Sequence, residues 1–136
     1  MKAFIDAPLF IYLNTLANLR HRVLYENFYV EILTKYKPYT DVLVLDELIY
    51  VSKRKYNIPY NISIEFTETN ILPYVTVLNL GEEEYKYAAE IITKHDLKPS
   101  DALHVGAMIN NDITLIVSED GEFDRIPAVK RLWIER

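Results

Sequence analysis

Cysteine is absent from the chain. That removes disulfides, thiolate zinc sites and cysteine nucleophiles together, and it agrees with a reducing compartment. Glycine is scarce, at three residues, and the glycine-bearing phosphate and nucleophile motifs are missing: there is no P-loop, no GxGxxG and no GxSxG. The histidines His21, His95 and His104 show no zinc spacing. No apolar run approaches the roughly 18 residues needed to span a bilayer. The opening residues, MKAFIDAPLF, carry one lysine and then an acid, unlike a signal peptide. A cytoplasmic protein is expected. Basic excess is lacking too: the net charge of −5 weighs against a broad nucleic-acid-binding surface. A bound metal would add local positive charge that this count omits.

What is present is enough for one folded unit. The 136 residues suit a single domain over 1–136, and 50% of them are hydrophobic, sufficient for one core. Repeats, low-complexity tracts and linker-like stretches do not occur. Residues 2–5 (KAFI) predict a short buried strand, and Pro8 opens a helix to about Leu16. Apolar spacing from Arg20 to Tyr36 predicts a second helix, stopped by Lys37-Pro38. Thr40 and Asp41 form an N-cap region for a helix running to Tyr56, and 61–71 predicts a further short helix. Tyr74–Leu80 is β-rich. Gly81 followed by Glu82, Glu83 and Glu84 marks a helix start, with its end near His95. A helix from Asp101 to about Asn110, a strand over 113–118, a turn at Asp120-Gly121 and a strand near Arg131–Ile134 complete the chain. Strands alternating with helices predict an α/β fold: a mainly parallel central sheet in a three-layer αβα sandwich.

Four acids fall where predicted strands give way to helices or loops: Asp6, Glu47, Asp101 and Asp120, with Asp124 as a candidate fifth. A parallel sheet places such residues beyond its carboxyl ends, where function concentrates. Each also has a plain structural reading. Asp6 and Asp101 suit helix starts, and Asp120 and Asp124 suit a polar turn. Glu47 is harder to explain that way. It sits among Leu43, Val44, Leu45, Leu48, Ile49 and Val51 on a helix expected to be largely buried, where Asp46 and Glu47 do not both reach solvent easily. Clustered carboxylates require neutralisation, and a divalent metal held by oxygen ligands is a tool for phosphodiester hydrolysis. His104, three residues after Asp101, is a ligand, base or RNA contact on one reading and a packed, hydrogen-bonded helix residue on the other. Basic residues group at Arg20-His21-Arg22, Lys53-Arg54-Lys55 and Lys130-Arg131. They are read either as solvated loops and helix C-termini or as phosphate contacts.

Taken in order, these segments resemble the PIN-domain family, and within it the VapC-type toxin ribonucleases, over nearly the whole chain. SDALHVGAM at 100–108 is similar to the family's Asp-Ala-x-His helix. LIVSEDGEFDRIPAV at 115–129 is similar to its strand, hydroxyl-x-Asp, Phe-Asp and Ile-Pro run. FIDAPLFIYL at 4–13 and LDELIYV at 45–51 match more loosely. The resemblance implies a homodimeric endoribonuclease that uses one or two Mg²⁺ or Mn²⁺ ions and metal-activated water. It also implies an antitoxin partner and a metal site at Asp6, Glu47, Asp101 and Asp120. Asp124 matches a frequent additional acid, Ser118 the hydroxyl residue that orders the acidic turn, and His104 a supporting position. Lys53, Arg54 and Lys55 are candidate RNA contacts. The chain departs from the family at Ala7 and Pro8, where threonine or serine and then asparagine often follow the first acid. An RNA-processing nuclease without an antitoxin, a non-catalytic binding module of the same fold, and a phospho-receiver domain are the other readings. The last lacks the paired acids after Ile5 and the lysine after Ser118 that it would usually carry.

Overall fold

The computed structural model describes residues 1–134. Five parallel strands form one sheet in the order β3-β2-β1-β4-β5: β1 (Lys2–Ile5), β2 (Lys37–Asp41), β3 (Thr76–Leu78), β4 (Leu115–Val117) and β5 (Lys130–Leu132). Six helices connect them: α1 (Ala7–Thr15), α2 (Leu19–Lys35), α3 (Val42–Tyr56), α4 (Tyr60–Asn70), α5 (Glu82–His95) and α6 (Pro99–Asn110). A short 3₁₀ turn over Gly121–Arg125 links β4 to β5. This is the mixed α/β architecture with a parallel central sheet that the sequence predicts.

The central strands are apolar on both faces because both faces are covered. Ala3, Phe4 and Ile5 of β1 and Ile116 and Val117 of β4 are fully buried. Phe10 and Leu9 from α1, Leu48 from α3, Met108 from α6 and Phe123 from the 3₁₀ turn complete the core around them. Each large apolar side chain removed from water contributes roughly 1.5–3 kcal/mol.

β2 is the element that the sequence does not predict. Its residues, KPYTD, include a proline and three polar side chains, Lys37, Thr40 and Asp41, so the segment reads as a helix stop followed by a cap. The structure makes it a central strand all the same. Lys37 N–H donates to Met1 O at 2.9 Å, so alternation turns the proline nitrogen away from β1. Pairing with β3 begins only at Tyr39, so Pro38 interrupts no ladder. Thr40 is satisfied by donating its hydroxyl to Ile5 O at 2.8 Å. The β-rich stretch 74–80 narrows to the three residues of β3. α3 is also less enclosed than expected. Val44, Leu48 and Ser52 are its buried residues, while Val42 and Asp46 are exposed.

Helices α5 and α6 approach closely at Gly106. A Cβ there would lie 2.5 Å from the backbone oxygen of Glu84, an atom that cannot rotate away. Gly106→Ala is therefore expected to destabilise the protein by about 1–3 kcal/mol despite alanine's better helix propensity. Urea denaturation would measure this, and an unchanged midpoint would contradict the close packing.

Candidate metal centre

β1 feeds β2 on one side, and the chain later returns to place β4 on the other, so the connections diverge between β1 and β4. Open α/β sheets bind ligands beyond the carboxyl ends at such a point. Asp6 follows β1 there and Ser118 follows β4. Ile5 pairs with Val117, which sets Asp6 and Ser118 side by side. Phe4 pairs with Tyr39, and two steps further along that register Asp41 ends β2 level with Asp6.

Asp6 is almost fully buried, and both its oxygens are engaged. Oδ1 accepts from Ala7 N–H at 2.8 Å, and Oδ2 accepts from the Ser118 hydroxyl at 2.7 Å. Ser118 in turn accepts from Asp120 N–H at 3.1 Å, so one hydroxyl fixes both the first acid and the acidic turn. The alanine at position 7 costs Asp6 little, because the backbone amide of that residue and Ser118 hold the carboxylate. Asp120 caps the 3₁₀ turn by accepting from Glu122 N–H at 2.9 Å.

Asp101 lies in the first turn of α6 and His104 one turn later. Ligand atoms of Asp6, Asp101 and His104 all fall within 4.8 Å of one another. His104 is buried at 2% exposure. Its Nδ1 meets Asp41 Oδ2 at 2.6 Å, and its Nε2 faces Asp6 Oδ1 at 3.8 Å. This histidine is packed and hydrogen-bonded, and it also turns an edge to the acids. Asp41 is the residue that sequence reasoning placed only as a cap. It does cap α3, accepting from Val44 N–H at 3.0 Å. Its other oxygen orients the imidazole, the outer-layer carboxylate–histidine arrangement common at metal sites. The signal that could have revealed it was Tyr39-Thr40, two good strand formers immediately before the acid.

Crowding of like charge shows in the ionisation behaviour. Burial raises the Asp101 pKa to about 6 from its ordinary 3.8, and Asp6 and Asp120 push in the same direction against His104 and Lys98. Burial, then Asp6, also raises Glu47, with Lys98 and His104 opposing. Burial pulls His104 down, but the hydrogen bond and charge of Asp41, with Asp6 and Asp101, outweigh it, and the net shift is upward. Asp6 thus acts on both Asp101 and Glu47, and Asp120 acts on Asp101, while Asp6, Asp101 and His104 form the tight group. This donor set suits a hard divalent cation: mostly carboxylate oxygen, one imidazole and no sulfur. Such an ion would relieve the mutual repulsion that raises these acids.

Other predicted positions lie elsewhere. Asp124 accepts from Arg131 through Oδ1 and Oδ2 at 3.0 and 3.1 Å. That pairing lowers its pKa, and Asp124 is not in the tight group of ligand atoms. Lys53, Arg54 and Lys55 occupy the last turn of α3, where the helix dipole favours cations, and Lys53 sits 5.8 Å from the Tyr60 ring centroid. Arg20, His21 and Arg22 stand instead in the first turn of α2, the end at which the dipole disfavours them.

The family and the fold are shared with known proteins. The family model for the PIN domain matches residues 3–129. A VapC ribonuclease of Mycobacterium bovis and the ribonuclease VapC13 of Mycobacterium tuberculosis are each 35% identical over 57 residues, 41% of this chain. The matched stretch spans 44% of the length of each relative. Among solved structures, VapBC2 of Rickettsia felis bound to a promoter DNA fragment has a similar fold, with TM-score 0.73, 18% identity and 98% of both chains covered. So does VapC20 of Mycobacterium tuberculosis, a toxin that cleaves the sarcin-ricin loop, with TM-score 0.74, 18% identity, and 93% of this chain and 95% of that one covered.

Proposed function

The chain belongs to the PIN-domain family, and from that premise we propose that it is a Mg²⁺- or Mn²⁺-dependent endoribonuclease, the toxin of a VapBC-type pair. The observation that carries the reading is the convergence of Asp6, Asp101 and His104 at the sheet's divergence point, with Glu47 and Asp120 close enough to act on their charge. The ribonuclease names of the partly matching relatives support the same substrate class. Solved neighbours that are toxin–antitoxin complexes support an antitoxin partner. A homodimer is the assembly we propose.

Asp6 and Asp101 are assigned the direct metal contacts, and Glu47 and Asp120 complete the charge of the site. Bound there, the ion supplies Lewis-acid activation of water and stabilises the charge that develops on the phosphate. The chain's own residues set the geometry. Ser118 fixes Asp6 and the 118–120 turn, Asp41 fixes the His104 ring, and Lys98 places a cation beside Glu47 and Asp101. Arg54 lies seven residues beyond Glu47 on the same helical face, about 10 Å along the axis. With Lys53 and Lys55 it is assigned to the RNA backbone at phosphates away from the cut.

The test is incubation of total cellular RNA with the protein in Mg²⁺, Mn²⁺ or EDTA, with the fragment ends mapped. Discrete cuts in metal and none in EDTA are expected. A folded, partner-free protein that cuts nothing would leave a binding module as the better reading. Asp124→Asn is expected to cut within about twofold of the parent rate, because the side chain serves Arg131 rather than the metal. A hundredfold loss would return Asp124 to the ligand set.

A further inference from the structure

An aromatic cavity that the proposed chemistry does not use is tied through Tyr12 to the acidic turn. Tyr12 of α1 donates its hydroxyl to Glu119 Oε1 at 2.6 Å. Glu119 lies between Ser118, which holds Asp6, and Asp120, so Tyr12 is tied directly to the acidic turn. Its ring stacks on Tyr25 with centroids 4.7 Å apart and planes 29° apart. Trp133 leans against both rings at 6.4 and 6.1 Å. It follows β5, one residue beyond the Val117–Leu132 pairing, and so ends level with Ser118.

Tyr12 and Tyr25, with Leu16, His21 and Leu24, line a cavity of about 360 Å³. That is within the roughly 300–1,000 Å³ typical of small-ligand sites. One wall of it is the first turn of α2, which holds Arg20, His21 and Arg22 and no acid. Arg22 pairs with Glu26 at 3.1 Å, while Arg20 and His21 are exposed. Three basic residues at the positive end of a helix oppose local stability. Of these only His21 lines the cavity, and Arg20, exposed one residue earlier on the same turn, places a cation near it, on a protein whose net charge is −5.

We propose that this cavity receives a nucleobase next to the scissile phosphate, held against the Tyr12 ring, with the first turn of α2 facing the adjoining backbone phosphate. The inference rests on the nuclease reading and adds a subsite to it. Three observations select a nucleobase over an apolar protein segment. Tyr12, which lines the cavity, donates to Glu119 beside Asp120, two of the five lining residues are tyrosines, and the exposed Arg20 adjoins the lining His21. Aromatic stacking tolerates any base, with an effect on affinity of roughly tenfold to a hundredfold per base. The Tyr12 subsite thus anchors the strand while the acids act on the neighbouring phosphate.

The experiment measures cleavage kinetics on a short RNA spanning a cut site mapped in total RNA. Tyr12→Leu is expected to raise KM at least about tenfold with kcat within about threefold. Tyr12→Phe, which keeps the ring and loses only the hydroxyl, is expected to raise KM less than Tyr12→Leu does. Leu24→Trp alters an exposed rim residue and fills the cavity, so a KM raised at least about tenfold there supports the subsite even if Tyr12→Leu fails to fold. If Leu24→Trp and any folded Tyr12→Leu protein cut with unchanged KM, the subsite is wrong while the nuclease reading stands. If the unmodified protein cuts no RNA in either metal, the nuclease reading fails and takes the subsite with it.

Discussion

Asp101→Asn is expected to lower RNA cleavage by at least about a hundredfold while making the metal-free protein more stable at pH 7.5. The two effects have one cause. Asp101 shares a ligand-sized space with Asp6 and His104, and burial and the Asp6 charge raise its pKa to about 6. In the unfolded chain the carboxyl loses its proton near 3.8, whereas in the folded protein it keeps it to about 6. Between those values the folded state binds more protons, so stability falls as pH rises through that window, and the whole penalty is present above it. The nominal cost is about 3 kcal/mol, reduced to about 1 kcal/mol because the carboxyl is partly open to solvent. Asparagine removes that penalty, and a gain of about 3 °C in Tm in EDTA is expected. Added Mg²⁺ or Mn²⁺ should raise the Tm of the unmodified protein and leave the variant nearly unmoved. A variant that is less stable in EDTA, or that gains as much from metal, would show that Asp101 is a structural cap and no ligand.

Asp41→Ala should cause the largest loss of stability, about 3 kcal/mol. Asp41 is completely buried and serves two partners. Losing the cap on Val44 N–H costs about 1 kcal/mol. Leaving the buried His104 without its carboxylate costs a further roughly 2–3 kcal/mol. The two overlap, so they do not simply add. Asp41→Asn, which keeps a capping oxygen but no charge, should recover about the capping part. The pH dependence has a definite sign. Asp41 and the other acids hold the His104 pKa above its ordinary 6.5. The stabilisation from the charged pair is therefore full below that value and fades as pH rises through the raised one. The stability gap between the parent and Asp41→Ala should be wider at pH 6 than at pH 9 in EDTA. Urea titrations at the two pH values measure it, and a gap that widens with pH would contradict the pairing.

Much of this site is legible in the sequence because its acids follow strong local signals. KAFI and LIV are apolar enough to be buried strands, so the positions of Asp6 and Asp120 at the carboxyl edge follow from them. Pro99 opens α6, and the placement of Asp101 and His104 on one face follows from helical spacing. The parts that were not legible depend on tertiary contacts. β2 has no apolar signature, since Thr40 and Asp41 find their partners in Ile5, Val44 and His104, two of them distant in sequence. Without β2, Asp41 looks like an ordinary cap. Nor does the sequence show that Arg131, on an adjoining strand, pairs with both oxygens of Asp124. Arg20, His21 and Arg22 stand at the start of α2, where the apolar spacing also begins the helix, so its dipole does not explain them.

The central claim is that one carboxylate cluster both holds the ion and carries the cutting. Its most direct test titrates Mn²⁺ into the unmodified protein and into Asp101→Asn, following free Mn²⁺ by electron paramagnetic resonance and RNA cleavage in the same samples. Cleavage should rise in step with Mn²⁺ uptake by the unmodified protein, with both largely lost in the variant. Cleavage that proceeds in EDTA, or uptake and cutting that survive intact in Asp101→Asn, would contradict it.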